Sequence, residues 1–231
     1  MTNDFDRFAP DYKGLLRDPI REAFAGDPEF FVTRKADVLS AFAAARGLDR
    51  RRATWLDVGC GTGELLRAAG GAFGRAIGCD VSAGMLEGGT GLEVVQQQDA
   101  ARLPFESSTA DWVTAVCVYH HVDDEVRPRL TADVRRVLKP GGIFVVIEHN
   151  PLNPAVQLIV RRTPVDADAR LLTAGRTRRL LEAAGLDVLE TRYFLLLPRR
   201  VYRRFSAVEH ALSRTPLGGQ YAVFARRPPD Y

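Results

Sequence analysis

Leu56-Asp57-Val58-Gly59-Cys60-Gly61-Thr62-Gly63-Glu64-Leu65-Leu66 decides the fold. An apolar run ends on a carboxylate, crosses glycines at three alternate positions, and resumes as Glu-Leu-Leu. That is a strand, a tight turn and a helix. Without a Cβ, glycine lets the backbone turn sharply and come close to a ligand. A dinucleotide-binding turn needs Gly-x-Gly-x-x-Gly, but position 64 is Glu and the third glycine falls one residue early. A P-loop needs Gly-Lys-Ser/Thr, and no Lys or Arg lies between Gly59 and Gly63. Neither phosphate-binding pattern is met.

Outward from this turn, strand and helix patterns alternate. Thr54 to Val58 reads as strand one and Glu64 to Ala69 as its helix. Strand two runs from Ala76 to Asp80, and Ser82 is placed to cap a short helix through Met85 and Leu86. Leu92 to Val95 is strand three. Asp111 to Val118 is strand four, nearly all apolar, as a strand buried on both faces must be. A helix over 124–138 stops before Lys139-Pro140-Gly141-Gly142, and Ile143 to Ile147 is strand five. Short connections between alternating elements predict a doubly wound, mainly parallel sheet. Residues 1–50 read as a helical cap, 54–148 as the ligand-binding core, and 150–231 as a substrate-side segment with further strands, all in one domain. In that last part a helix is expected over 173–184, strands over 187–197 and 220–225, and a helix beginning after Pro198 with Val201, Phe205, Val208 and Leu212 on one face.

The 231 residues, 46% hydrophobic and 26% charged, fit one soluble globular domain. No run approaches the roughly 18 apolar residues of a membrane span. The start, Met-Thr-Asn-Asp-Phe-Asp-Arg, lacks the pattern of a signal peptide, so a cytoplasmic location is expected. Cys60, Cys79 and Cys117 form neither a disulfide framework nor a metal pair, in keeping with a reducing compartment. Charge is uneven: residues 155–231 hold 14 Arg, no Lys and 7 acids, a balance of +7 against −4 for the rest. Such asymmetry suits an acidic acceptor, a nucleic acid or a membrane surface, or reflects a general preference for Arg over Lys.

Asp80 ends strand two, 23 positions after Asp57, beside the glycine turn. Its two oxygens can accept both hydroxyls of a ribose, and Asp99, after strand three, can accept from an adenine amino group. Four segments then occur in order: Asp57 to Gly63, Asp80 to Leu86, Asp99 to Phe105, and Leu138 to Gly142. Together they resemble the motifs of class I S-adenosylmethionine (SAM) dependent methyltransferases, and within them the ubiquinone/menaquinone C-methyltransferase-like group of small-molecule enzymes. The resemblance implies a seven-stranded Rossmann-like sheet ending in an antiparallel hairpin, and SAM as cofactor. It implies that Asp80 holds the ribose, Met85 packs on adenine, Asp99-Ala100 meets the adenine edge, and Gly59, Gly61 and Gly63 face the methionine portion. Asp57, Cys60, Val81 and Cys117 join this cofactor set, and Tyr12 matches an aromatic that closes over it.

His120, His121 and His149 fall at the ends of strands four and five, with Glu148 among them. Methyl transfer from a sulfonium is an in-line displacement dominated by alignment, and a base near pKa 7 assists a hydroxyl, amine or carbon nucleophile. His121 is the first candidate for that base and His149 the second. No ligand spacing supports a metal centre from His121, Asp123, Glu148 and His149, and none is expected. The reading is a small-molecule methyltransferase in a biosynthetic pathway, monomeric or homodimeric, with no nucleic-acid partner. Its competitors are a non-catalytic SAM-binding protein, an RNA methyltransferase using the basic C-terminal third, and a nicotinamide oxidoreductase.

Overall fold

The computed structural model describes residues 4–229. Ahead of the sheet lie α1 (Tyr12–Leu15), α2 (Pro19–Ala25) and α3 (Glu29–Ala45). The alternating region follows as β1 (Thr54–Val58), α4 (Glu64–Ala69), β2 (Arg75–Asp80), α5 (Ala83–Glu87), β3 (Glu93–Gln96), β4 (Ala110–Val116), α6 (Arg127–Val137) and β5 (Leu138–His149). The chain continues through α7 (Pro154–Arg162), α8 (Ala174–Ala183), β6 (Asp187–Phe194), α9 (Arg199–Ala211) and β7 (Gln220–Arg226). The seven strands lie in the order β3-β2-β1-β4-β5-β7-β6. β1 to β5 pair in parallel, and β7 runs antiparallel between β5 and β6. The expected sheet and its C-terminal hairpin are both present.

Alternation along the central strands divides the core into two layers. Val113, Phe144, Val146 and Val223 meet Leu130 and Val134 of α6 and Leu181 of α8. Their neighbours Trp112, Val145, Ile147 and Phe224 face the other way, onto Leu39 and Phe42 of α3. Phe42 stacks on Phe224 with ring centroids 3.9 Å apart. The strand order reverses between β1 and β4, whose C-terminal ends part there and leave a crevice.

Three local expectations differ from the structure. Lys139 to Gly142 is not a separate turn: it is an irregularity inside β5, where the register against β4 jumps from Ala110↔Leu138 to Trp112↔Ile143. The polar groups of this kink are not wasted, because Arg227 N–H donates to Gly142 and Gly141 N–H donates to Arg227. The stretch after β5, which lacks clear periodicity, holds the well-formed α7, capped by Asn153 accepting from Ala155 and Val156 N–H.

The third difference concerns α9. Val201, Phe205, Val208 and Leu212, expected along one helical face, are 40, 49, 46 and 37% exposed, and non-helical backbone at Phe205 kinks the helix between them. The helix docks through polar contacts. Glu209, buried, accepts from Arg34 of α3 at 2.6 Å and from the Leu196 and Leu197 N–H groups at 2.9 Å each. The Arg34 guanidinium also lies over Tyr202, 3.8 Å from its ring centre. A buried charge must keep its partner, and that requirement, not the apolar spacing, decides which part of the helix turns inward.

Candidate active site

The crevice opens at the glycine turn. Gly59, Gly61 and Gly63 all have positive φ, at +66, +53 and +78°. Their side spaces differ. A Cβ on Gly59 would stand 2.4 Å from Val118 Cγ2, a position closed by protein packing. A Cβ on Gly61 would meet nothing nearer than Met85 Cε at 3.7 Å, so the backbone here borders open space beside a buried methionine. Gly61 N–H donates to Asp80 Oδ2 at 2.8 Å, and Ser82 N–H to Asp80 Oδ1 at 2.9 Å. These bonds steady the carboxylate and leave lone pairs on both oxygens for a ligand. Burial pushes the Asp80 pKa up, against the pull of its N–H donors.

Ser82 caps α5 as its sequence position suggests, accepting from Met85 N–H at 3.1 Å. Its hydroxyl donates to Asp6, which also accepts from Gly84 N–H at 3.1 Å. The N-terminal segment is thereby fastened over the crevice, a role the sequence did not announce. Asp57 lies deeper, buried beneath the turn, where burial raises it to about 7 although the Thr114 hydroxyl donates to it. Thr114 in turn accepts from Trp55 Nε1 at 2.8 Å, so this acid braces β1 against β4. Cys60 is half-buried with its thiol pushed up by burial, and Val81 is half-buried just beyond Asp80. Asp99 and Ala100 are exposed at the far edge. Asp99 accepts from Ala101 N–H, and its carbonyl accepts from Nε2 of the buried Gln97, both at 2.8 Å. Gln97 is a polar group at this edge that no motif pointed out.

Across the crevice, the ends of β4 and β5 carry a dense polar cluster. Cys117 adopts φ +57°, unusual for a residue with a Cβ. Its sulfur lies 3.9 Å from Lys35 Nζ and 3.4 Å from Gln220 Nε2. Burial acts to raise this thiol, but Lys35 and His149 outweigh it and bring it to about 7. Tyr12 is placed near enough that Cys117 and Asp166 add to the effect of burial in raising its phenol.

His120 and Glu148 are 2 and 1% exposed. His120 Nδ1 bonds Glu148 Oε2, and Tyr119 N–H donates to Oε1 of the same carboxylate at 2.7 Å. The Nε2 atoms of His120 and His121 both face Asp166 Oδ1, at 3.6 and 3.4 Å. Burial works to lower His120, yet Glu148 and Asp166 carry it up to about 10, while burial dominates at His121 and lowers it. Both carboxyls are held below their usual range, the histidines overcoming the effect of burial. The Phe5 ring meets His121 edge-on at 4.8 Å, and the His149 ring lies 5.3 Å from that of His120. Sequence spacing brought together the histidines and Glu148. Asp166 escaped it: the residue lies in a short turn, Pro164–Asp166, with no motif around it.

Residues 56–146 match the family model described as a methyltransferase domain. A demethylmenaquinone methyltransferase of Symbiobacterium thermophilum is 42% identical over 105 residues, 40% of this chain and 41% of that protein. A tRNA (carboxymethyluridine(34)-5-O)-methyltransferase of Arabidopsis thaliana is 31% identical over 115 residues, 48% of this chain and 28% of that protein. The chain thus spans less than half the length of these curated relatives. Among solved structures, a SAM-dependent methyltransferase from Archaeoglobus fulgidus superposes with a TM-score of 0.60 at 21% identity, over 87% of this chain and all of that one. The matched segment runs from β1 into β5 and holds all four of the motifs singled out in the sequence.

Proposed function

We propose that the protein transfers a methyl group from SAM to a small-molecule acceptor. One observation carries the reading: the buried Asp80 carboxylate and Gly61, whose added Cβ would find only Met85 Cε within 4 Å, lie at the same strand ends as a cluster of imidazoles and carboxylates. SAM fits the residues present, because the crevice offers a buried carboxylate for a ribose, a methionine for adenine, and a phosphate-free turn. When bound there it supplies an electrophilic methyl group on sulfur. Asp80 anchors the ribose, and Met85 and the Asp99-Ala100 edge hold the adenine. Gly59 to Gly63 and Tyr12 enclose the methionine portion.

The remaining chemistry belongs to the far wall. His121 and His149 orient the acceptor atom and take its proton, so that its lone pair is free for attack. Glu148 and His120 keep that wall rigid. The acceptor's body meets the parts of the chain outside the shared motifs, residues 4–50 and 150–218. Calorimetric titration with SAM tests the cofactor half of the reading, and methyl-labelled SAM offered with metabolite extracts tests the acceptor half. Absence of SAM binding at millimolar concentration would overturn the assignment.

A second reading, an RNA acceptor, draws on the tRNA-modifying relative and on Arg200, Arg203, Arg204 and Arg214, which are exposed in and just after α9. Such a surface would give tRNA binding that weakens steeply with salt, and a filter-binding titration against salt decides it.

A further inference from the structure

We propose that His120, His121 and Asp166 form a binding site for one divalent transition-metal ion of the zinc class, with Glu148 as the group that orients His120. Three donor groups converge: one ligand atom from each of His120, His121 and Asp166 lies within 4.8 Å of the other two. Two of the three edges measure 3.6 and 3.4 Å. A tetrahedral ion with ligand bonds of about 2.0–2.1 Å has edges of about 3.3–3.4 Å. The two imidazole rings are already neighbours, with centroids 4.0 Å apart, and the His121 side chain is 17% exposed.

The environment of His120 is the second, independent observation. Its Nδ1 is committed to Glu148, a carboxylate itself fixed by Tyr119 N–H. Carboxylate–histidine pairs of this kind set the tautomer and aim the other ring nitrogen at a metal. With Nδ1 as the donor to Glu148, a neutral His120 turns the lone pair of Nε2 toward the lone pairs of Asp166. In that state a dication in the 3.6 Å gap takes the place of the proton that otherwise joins His120 to Asp166. One dication also balances the formal charges of Glu148 and Asp166. The alternative positive centre is a proton on His120, which would make the cluster a pair of ion-paired imidazoles, and the experiment below separates the two.

Two imidazoles and one carboxylate form a borderline set that suits Zn, Fe, Mn or Co and leaves at least one position open. That position lies on the wall assigned above to the acceptor. Resting on that assignment, the acceptor class is an oxygen compound, a phenol or enol, whose oxygen enters the open position and becomes more acidic there. Of the two histidines given above as orienting and deprotonating the acceptor, His121 then keeps only the orienting role, as a ligand of the ion, and His149 takes the proton. The ligand set differs from the one weighed from sequence spacing: His121 is common to both, His120 and Asp166 replace Asp123 and His149, and Glu148 becomes a partner of His120 and not a ligand.

Equilibrium dialysis of the purified chain with Zn²⁺ and Co²⁺, followed by elemental analysis, tests the site without reference to turnover. The expected result is one equivalent bound, lost in His121→Ala and in Asp166→Asn. Glu148→Gln should keep the stoichiometry and weaken affinity by about 10- to 100-fold. His210→Ala, which removes the exposed histidine of α9, should change nothing. SAM titration on the same samples checks that each variant is folded and judges the cofactor reading separately. No bound metal in the wild-type chain, or binding indifferent to His121→Ala and Asp166→Asn, overturns the proposal and leaves the proton in the gap.

Discussion

Replacing Gly59 and Gly61 in turn by alanine separates what the turn does for the fold from what it does for the ligand. Both residues have positive φ, so an alanine at either costs about 1–2 kcal/mol in backbone strain. At Gly61 little more is expected, since the new methyl meets nothing nearer than Met85 Cε at 3.7 Å. At Gly59 the methyl lies 2.4 Å from Val118 Cγ2, with Cγ1 at 3.1 Å and Cβ at 3.4 Å. A β-branched side chain offering three atoms cannot swing aside, which adds about 1–3 kcal/mol of overpacking. The sums are ~1–2 kcal/mol for Gly61→Ala and ~2–5 kcal/mol for Gly59→Ala. At about 2–4 °C per kcal/mol for a chain of this size, the melting temperature falls by a few degrees in the first and by on the order of 10 °C in the second. SAM affinity should rank the other way. Gly61→Ala pushes a methyl into the space assigned to the ligand and should weaken binding at least tenfold, and Gly61→Val should abolish it. Differential scanning fluorimetry with and without SAM, paired with calorimetry, measures both quantities. A Gly61→Ala protein that binds SAM as tightly as wild type would refute the placement of the ligand against this turn.

The other predictions are shorter. Asp80→Ala should weaken SAM by about 10- to 100-fold in calorimetry, the loss of a charge-assisted pair of hydrogen bonds; unchanged affinity in a folded variant would remove Asp80 from the site. His121→Ala should lower kcat by about 10²- to 10⁴-fold on the true acceptor with SAM affinity retained, and turnover near wild type would shift that role to His149. Iodoacetamide should modify Cys117 with a pH midpoint near 7, compared with about 8.5 for an ordinary thiol. Lys35→Met should move that midpoint upward, because Lys35 is the largest influence holding the thiol down. Arg34→Met strands the buried Glu209 and should cost about 3–5 kcal/mol, read as a fall in melting temperature and as faster proteolysis around α9. Glu209→Gln should cost less, since an amide oxygen still accepts from Leu196 and Leu197.

Most of the fold was legible because local chemistry and tertiary context agree in the central region. The strand from Thr54 to Val58, the helix from Glu64 to Ala69 and the Ser82 cap stand where composition and spacing placed them. Strands buried on both faces are apolar throughout, and positive φ at a turn selects glycine, so each signal sits within a few residues of what it specifies. The motifs from Asp57 to Gly142 carried the family resemblance for the same reason. What the sequence could not disclose depends on residues far apart along the chain. Asp166 meets His120 and His121 only because the segment after β5 folds back over the strand ends. His120, rather than His121, is the buried centre of the cluster because Glu148 comes from the neighbouring strand. The apolar side chains of α9 stay exposed while a buried Arg34–Glu209 pair spanning 175 residues fixes the part of the helix that turns inward. Local patterns determine which elements form and which turn can hold a ligand. Only the packed structure decides which distant charges meet, because a desolvated charge takes whichever partner the fold brings to it.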